Sequence, residues 1–303
     1  MWDLLLLGKT SLGIELAKRI NGEIISADSM QIYKNLDIGT AKVTKEEMQG
    51  IPHHVIDVCD VQDSFSVADF QKICYDKIND IIKRGKTPII VGGTGLYVSA
   101  VVDNMTFEDE KIDQKYRDYL YALAKLKSNE YVYQMLKNVD YESAETIHPN
   151  NLKRVIRALE IAKNSTKLKS EHIQDDRNNS IKKGNDYLFN TFYINFNRDT
   201  LNQRINKRID VMMNQGLLDE AKKVYDMNLS LNCTCMQAIG YKEFFPYFLG
   251  KSTLEECIEK LKQETRKYAK RQETWFKNKL DVVSLDGESS INSKIEYILK
   301  IIN

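Results

Sequence analysis

Short runs of β-branched residues alternate with stretches of helical period from residue 1 to about residue 107, and few folds accommodate that order. Leu4 to Leu7, Glu23 to Ser26, His54 to Val58 and Thr87 to Val91 read as buried strands. Between them, Ser11 to Ile20 places Ile14, Leu16, Ala17 and Ile20 at helical positions, and Gly22 stops the run. Ser66 is a good N-cap for a helix carrying Phe70, Ile73, Cys74, Ile78 and Ile81 on one stripe. Gly92-Gly93-Thr94-Gly95 leads into a further helix. Strand, helix, strand in this order predicts an α/β protein: a parallel sheet with helices on both faces. At 303 residues and 42% hydrophobic content, the chain can bury a sizeable core.

From Glu108 to about residue 180 the sequence is polar, helical in pattern and without a clear strand, which predicts a helical insertion domain. Ser165 to Asn185, rich in Lys, Asp and Asn, reads as an exposed, mobile connection. Phe189 to Phe196 returns to the sheet, and two long helices follow over Asp199–Asp226 and Thr253–Lys279. The expected division is therefore a core from 1 to 107 and 183 to 303, interrupted by an insertion from 108 to 182. Leu4 to Leu7 is too short to span a membrane, and no secretory leader is evident. Five cysteines, an odd number in a long chain, fit reduced thiols in a cytoplasm. Cys233-Thr-Cys235 lacks the spacing of a zinc site.

The chemistry gathers near the first two strands. Gly8-Lys9-Thr10-Ser11 matches the tail of a phosphate-binding loop, in which backbone amides at a helix N-terminus face an anion and lysine reaches the terminal phosphates. The full G-x-x-x-x-G-K-[ST] pattern needs glycine at position 3, where this chain has Asp3, so a plain strand–turn–helix with an exposed lysine is the competing reading. Asp28 follows a strand at the edge where α/β sheets bind ligands; it reads either as a proton acceptor or as a turn residue. Gly92 to Gly95 is either a flexible turn or a place where backbone approaches a ligand, with the Thr94 hydroxyl as a donor. Arg204 and Arg208, four apart on one helix, are either a solvated face or a fork for a diphosphate. The net charge is only +1, but Lys262, Arg266, Lys267, Lys270, Arg271, Lys277 and Lys279 outnumber Glu264 and Glu273 on the last long helix. Such a row can track a phosphate backbone.

Taken together, NGEIISADSMQIYKNLDIGTAK (21–42), PIIVGGTGLY (88–97), HPNNLKRVIRALE (148–160), RINKRIDVMMNQGLLDEA (204–221), QAIGYKE (237–243) and TRKYAKRQETWF (265–276) resemble the tRNA dimethylallyltransferase family, over nearly the whole chain. The resemblance implies a P-loop-type sheet with a helical insertion that clasps the anticodon stem-loop. It implies transfer of a dimethylallyl group from dimethylallyl diphosphate to the exocyclic amine of the adenine just 3′ of the anticodon, by a monomer and with Mg²⁺. On this resemblance Asp28 is the base, and Gly8, Lys9, Thr10, Ser11 and Arg208 hold the diphosphate, with Thr10 on the diphosphate or its metal. Asp28, Ser29, Met30, Gln31 and Thr94 would contact the tRNA. So would Lys153, Arg154, Val155, Ile156 and Arg157 in the insertion. Gln237, Ala238, Ile239, Gly240, Tyr241 and Lys242 would join them, with Thr265, Arg266, Lys267, Tyr268, Ala269, Lys270, Arg271 and Gln272 on the last long helix. The chain departs from the family's G-P-T-x-x-G-K-T loop, of which only Gly8-Lys9-Thr10 stands here, and has Val43 where a proline is usual. Three other activities share parts of this pattern. A small-molecule kinase would need a complete phosphate loop. An adenylate dimethylallyltransferase would act on free nucleotide. A tRNA-binding protein would hold the stem-loop without turnover.

Overall fold

The computed structural model describes residues 8–107, 113–164, 168–171, 186–229 and 233–302. The Leu4 to Leu7 strand lies outside them, as does the 165–185 connection apart from residues 168–171. Chain contacts divide the molecule into two units, Met1–Val102 with Tyr187–Asn303, and Asp103–Asp186.

In the first unit, α1 (Lys9–Arg19) leads to β1 (Gly22–Ala27). Then come β2 (His53–His54), α2 (Val67–Lys83), β3 (Thr87–Gly92) and α3 (Gly95–Val102). β1 is central, with β2 and β3 parallel to it on either side. Side chains alternate across a strand, and β1 shows the consequence. Ile24 reaches Gly13 of α1, and its register partner Ile89 packs with Leu12 and Leu16. Ile25, one residue on, joins Phe70, Cys74 and Ile78 of α2 in the main core. Helices thus cover both faces of this sheet. β1 is buried along its whole length, as a strand covered on both sides must be.

The strand expected over His54–Val58 is only two residues long. Val55 and Asp57 take positive φ angles of 62° and 56°, which turn the chain out of the sheet. At Ser66 the sequence reading is met by a capping box: the hydroxyl accepts from the Asp69 N–H, and the Asp69 carboxylate accepts from the Ser66 N–H.

After the second unit the chain runs through β4 (Phe192–Asn195) to α8 (Arg198–Asn214) and α9 (Leu217–Asp226). The single long helix expected over 199–226 is therefore two, broken where Gly216 adopts φ 98°. A short α10 (Phe245–Phe248) precedes the 26-residue α11 (Leu254–Lys279), which Thr253 and Glu256 cap as a box. β5 (Val283–Asp286), parallel to β4, and α12 (Ile291–Ile302) complete the unit. β3 and β4 flank a cavity of about 650 Å³ whose apolar wall includes Leu12, Leu16, Ile89, Val91, Phe192 and Ile194.

The second unit is helical: α4 (Gln114–Leu126), α5 (Asn129–Val139), α6 (Tyr141–Thr146) and α7 (Leu152–Asn164). Leu120, Val132, Leu136, Val155 and Leu159 form its own core. Buried Glu160 accepts from Arg117 at 2.7 Å and Arg157 at 2.8 Å. Burial would raise that carboxyl, but the two guanidinium groups outweigh it and hold it low. Among the described residues no helix is long and apolar enough to cross a membrane.

A buried acid ties the start of the sheet together. Glu23 on β1 accepts from Arg84 after α2 at 2.5 and 2.8 Å, and from Lys86 ahead of β3 at 2.7 Å. Its Oε2 also lies 2.7 Å from His54 Nε2 on β2. The Arg84 hydrogen bonds, more than burial opposes, hold the Glu23 carboxyl far below its usual range. Replacing Glu23 by glutamine is expected to lower stability by about 2 kcal/mol at pH 7. Loss of one partner of a fully buried pair costs more; here Arg84 and Lys86 are part-exposed and water can re-solvate them. A depressed acid stabilises above its unfolded pKa of about 4.3 and loses that contribution as pH falls below it. Denaturant unfolding of both proteins at pH 7 and pH 3 checks this: the gap should narrow at pH 3.

Candidate active site

The site lies at the C-terminal ends of β1 and β3, where α1 begins. Gly8, at φ 68°, turns the chain into α1, so Lys9, Thr10 and Ser11 occupy its first turn, where helix amides point outward along the axis. Asp28 directly follows β1. Its Oδ1 accepts from the N–H of Met30 at 2.9 Å and, more weakly, of Gln31 at 3.4 Å, so the turn reading of Asp28 is correct as far as it goes. Those bonds fix the carboxylate by one oxygen and leave it half-buried in the crevice.

Two cations share this crevice. Burial is the main influence on Lys9 and pushes its ammonium below the usual range; the Asp28 charge works against that and Arg208 adds to it. Arg208, from α8, is likewise pulled down chiefly by burial, while Asp28 and Glu47 oppose it. Lys9, Asp28 and Arg208, distant in sequence and each half-buried, therefore act on one another electrostatically at the end of β1. The fork with Arg204 does not form: that guanidinium stacks on the Phe196 ring at 4.5 Å.

β3 and α11 close the pocket. Thr94 Oγ1 accepts from the Ser29 N–H at 2.9 Å and lies 3.2 Å from the Ser29 hydroxyl, which pins the segment after Asp28 to the end of β3. Gln272 of α11 donates to the Gly93 carbonyl at 2.7 Å. A Cβ on Gly93 would meet Gln272 Nε2 at 2.3 Å and Lys9 Nζ at 3.0 Å, so glycine is needed for the lysine and the glutamine to approach together. The Tyr268 hydroxyl is raised above the usual phenol range, first by burial and then by the Asp28 charge, while hydrogen bonding with Gln272 and Thr94 works the other way. Tyr268 is thus within reach of the Asp28 charge.

Of the other residues singled out from the sequence, Gln237 and Lys242 are exposed, whereas Ala238 and Tyr241 are buried. In the helical unit Lys153 and Arg154 are exposed, but Val155 and Ile156 belong to its core and Arg157 is paired with Glu160. On α11, Lys262 pairs with Asp210 at 2.8 Å, Arg266 donates to Asn206, and Lys267 and Lys277 pair along the helix. Lys270 and Arg271 are exposed without a carboxylate partner among the described residues, and Arg271 lies 5.6 Å from the centre of the Tyr268 ring. Two anchors of the site escaped the sequence reading. Lys42, whose side chain is 6% exposed, binds the Tyr33 carbonyl at 2.9 Å, Asp37 at 2.5 Å and Asp57 at 2.6 Å. Glu220, on α9, accepts from the backbone of residues 37–39. No local pattern marks either: the backbone partners of Glu220 lie more than 180 residues away, and the partners of Lys42 sit along irregular loops without a helix or strand period.

Among the described residues no group of three or more His, Cys, Asp or Glu could hold a metal ion. Thr10, in the first turn of α1, and Asp28, after β1, carry oxygen donors of the hard type that Mg²⁺ accepts. They are too few to hold the ion alone, and fit one that arrives with phosphate oxygens.

The N-terminal end of α1, two half-buried cations and a carboxylate make a pocket suited to an anion and a proton. Known proteins agree with that chemistry. Residues 31–279 match the family model described as IPP transferase. The tRNA dimethylallyltransferase of Bacillus subtilis is 48% identical over 291 residues, covering 95% of this chain and 90% of that protein. The enzyme of the same name from Bacillus cytotoxicus is 51% identical over 281 residues, 92% of this chain and 86% of that one. The crystal structure of a tRNA isopentenylpyrophosphate transferase from Bacillus halodurans superposes with a TM-score of 0.71 at 45% identity, covering 98% of this chain and 92% of that chain. A eukaryotic dimethylallyltransferase acting on tRNA gives a TM-score of 0.77 at 32% identity, covering 97% of this chain and 75% of that chain. By the extent of these matches, this chain belongs to the IPP transferase family.

Proposed function

We propose that this chain transfers the dimethylallyl group of dimethylallyl diphosphate to the exocyclic N6 amine of the adenine immediately 3′ of the anticodon in tRNA, releasing diphosphate. The observation that carries the reading is geometric: the Lys9 ammonium lies against Gly93 and Gln272 at the end of β3, next to the Thr94–Ser29 bond that holds the segment after Asp28, and the Asp28 and Arg208 charges both act on it. The adenine amine is a poor nucleophile, since its lone pair is delocalised into the ring. As the N–C bond forms, positive charge builds on nitrogen, and the Asp28 carboxylate takes the proton. The allylic C–O bond breaks with its electron pair going to the diphosphate, whose charge Lys9, Arg208 and the amides of the α1 N-terminus stabilise. Gly8 to Ser11 serve here as the phosphate-binding end of a P-loop-type fold. Thr10, with the diphosphate oxygens, would hold Mg²⁺, which supplies charge neutralisation to the leaving group.

The acceptor adenine must leave its stack to reach this depth. Ser29, Met30, Gln31, Thr94 and the 237–242 segment surround the place it enters, Tyr268 and Gln272 line it from α11, and the helical unit clasps the anticodon stem-loop. The protein acts as a monomer in the cytoplasm. Exposed Lys270 and Arg271 lie one helical turn or less from Tyr268 and Gln272 and are suited to the tRNA backbone. Lys270→Ala is accordingly expected to weaken tRNA binding severalfold at low salt and to lower the salt slope by about one. Filter binding from 50 to 300 mM salt checks this, and unchanged affinity and salt slope would leave Lys270 a solvated side chain.

The reading is tested by supplying labelled dimethylallyl diphosphate and Mg²⁺ with tRNA, AMP or ATP as acceptor. Label on tRNA is expected. Label on free nucleotide would make the chain an adenylate dimethylallyltransferase, and tRNA binding without transfer would make it a binding protein.

A further inference from the structure

The segment from Asp28 to Lys42 has no regular secondary structure beyond an isolated bridge at Tyr33, so its shape depends on what its backbone groups bind. Successive amides of Asp37, Ile38 and Gly39 converge on one carboxylate, that of Glu220: Oε2 accepts at 3.1 and 2.9 Å, and Oε1 at 2.9 Å. Three amides in a row form a concave anion seat, and here a side chain from α9 fills it. Oε1 also accepts from the Tyr241 hydroxyl at 2.8 Å. Each carboxylate oxygen thus meets two donors. Tyr241 is buried and closes over Gly39, where a Cβ would lie 2.6 Å from its ring.

The bonds continue toward the reacting centre. The Gln31 side chain donates to the Thr40 and Ala41 carbonyls at 3.2 and 3.3 Å and accepts from the Ser26 hydroxyl at 3.0 Å. The Gln31 N–H in turn meets Asp28 Oδ1. Lys42 ties the same segment to Asp57, but Glu220 ties it to the 237–242 segment, on the side where the acceptor enters. Resting on the function proposed above, we propose that Glu220 is a positioning residue. Its carboxylate locks the 37–39 turn to Tyr241 and, through Gln31, sets the placement of Asp28 relative to the acceptor segment.

Glutamine at 220 has one acceptor oxygen, so its NH₂ group faces donors on whichever side it lies. Glu220→Gln is expected to lower the single-turnover rate, at saturating tRNA and dimethylallyl diphosphate, roughly tenfold to a hundredfold, the loss that follows a small misplacement of a reacting group. The affinity for dimethylallyl diphosphate should stay unchanged. Glu220→Asp, which keeps both oxygens, should recover part of the rate. Combining Glu220→Gln with Gln31→Leu should cost no more than the more damaging single change, because both cut one route. Tyr241→Phe removes one hydroxyl and serves if Glu220→Gln does not fold; a severalfold loss of rate is expected. Full rate in Glu220→Gln or, failing its folding, in Tyr241→Phe would overturn the proposal. So would a loss confined to tRNA affinity, or losses that multiply with Gln31→Leu. If the unaltered chain transfers nothing to tRNA, the proposed function fails; if it transfers and Glu220→Gln keeps pace, only this inference does.

Discussion

Asp28→Ala is expected to lower the single-turnover transfer rate by about 10²–10⁴, the usual worth of a positioned base, while tRNA affinity changes by no more than a few-fold. A second variant separates the base role proposed for Asp28 from its turn-closing role. Its Oδ1 closes the turn at Met30 and Gln31, and asparagine can do the same. If the turn were its whole contribution, Asp28→Asn would transfer at full rate. If the carboxylate takes the proton, Asp28→Asn should be as slow as Asp28→Ala. Rapid-quench assays with enzyme in excess over tRNA measure the step directly and keep product release out of the comparison.

Lys9→Ala is expected to lower kcat/KM for dimethylallyl diphosphate by about 10²–10³, in line with removal of one group that stabilises developing charge. Binding of tRNA without the diphosphate should not change. Burial lowers both Lys9 and Arg208 from their ordinary ranges while the Asp28 charge opposes it, and both stay cations, half-exposed to an arriving diphosphate. Arg208→Lys keeps the charge and loses the planar donor fork; it should fall between the unaltered chain and Lys9→Ala. A loss in Lys9→Ala that appears equally in tRNA affinity would show that the lysine serves the acceptor instead.

Much of this arrangement is legible in the sequence, and what is not has a common cause. Period and caps are local properties, so α2 with its Ser66 box and α11 with its Thr253 box fall where the pattern puts them. The break at Gly216 is a glycine within an otherwise continuous helical pattern, and periodicity alone does not show that it takes a left-handed angle. The short β2 has the same explanation, since nothing in Val55 or Asp57 announces a positive φ. At the site, Asp28 is visible because it follows a strand, and Lys9 because it sits in a recognisable tripeptide. Arg208 and Arg204 look equivalent on their helix, and only packing separates the one beside Asp28 from the one stacked on Phe196. The basic face of α11 is legible as a row, but pairing with Asp210, Glu264 and Glu273 engages several of its charges and leaves Lys270 and Arg271 exposed. Glu220 stays hidden because distant backbone amides converge on it, and Lys42 because its partners are brought together by irregular loop segments.

The central claim is that one crevice takes a proton from a tRNA adenine as it releases a diphosphate. Nucleoside mass spectrometry of an anticodon stem-loop, after incubation with dimethylallyl diphosphate and Mg²⁺, reads it most directly when the unaltered chain and Asp28→Asn are run side by side. A five-carbon group is expected on the adenine 3′ of the anticodon with the unaltered chain, and none above background with Asp28→Asn over the same interval. Equal modification by both proteins, or a modified base at any other position, would contradict it.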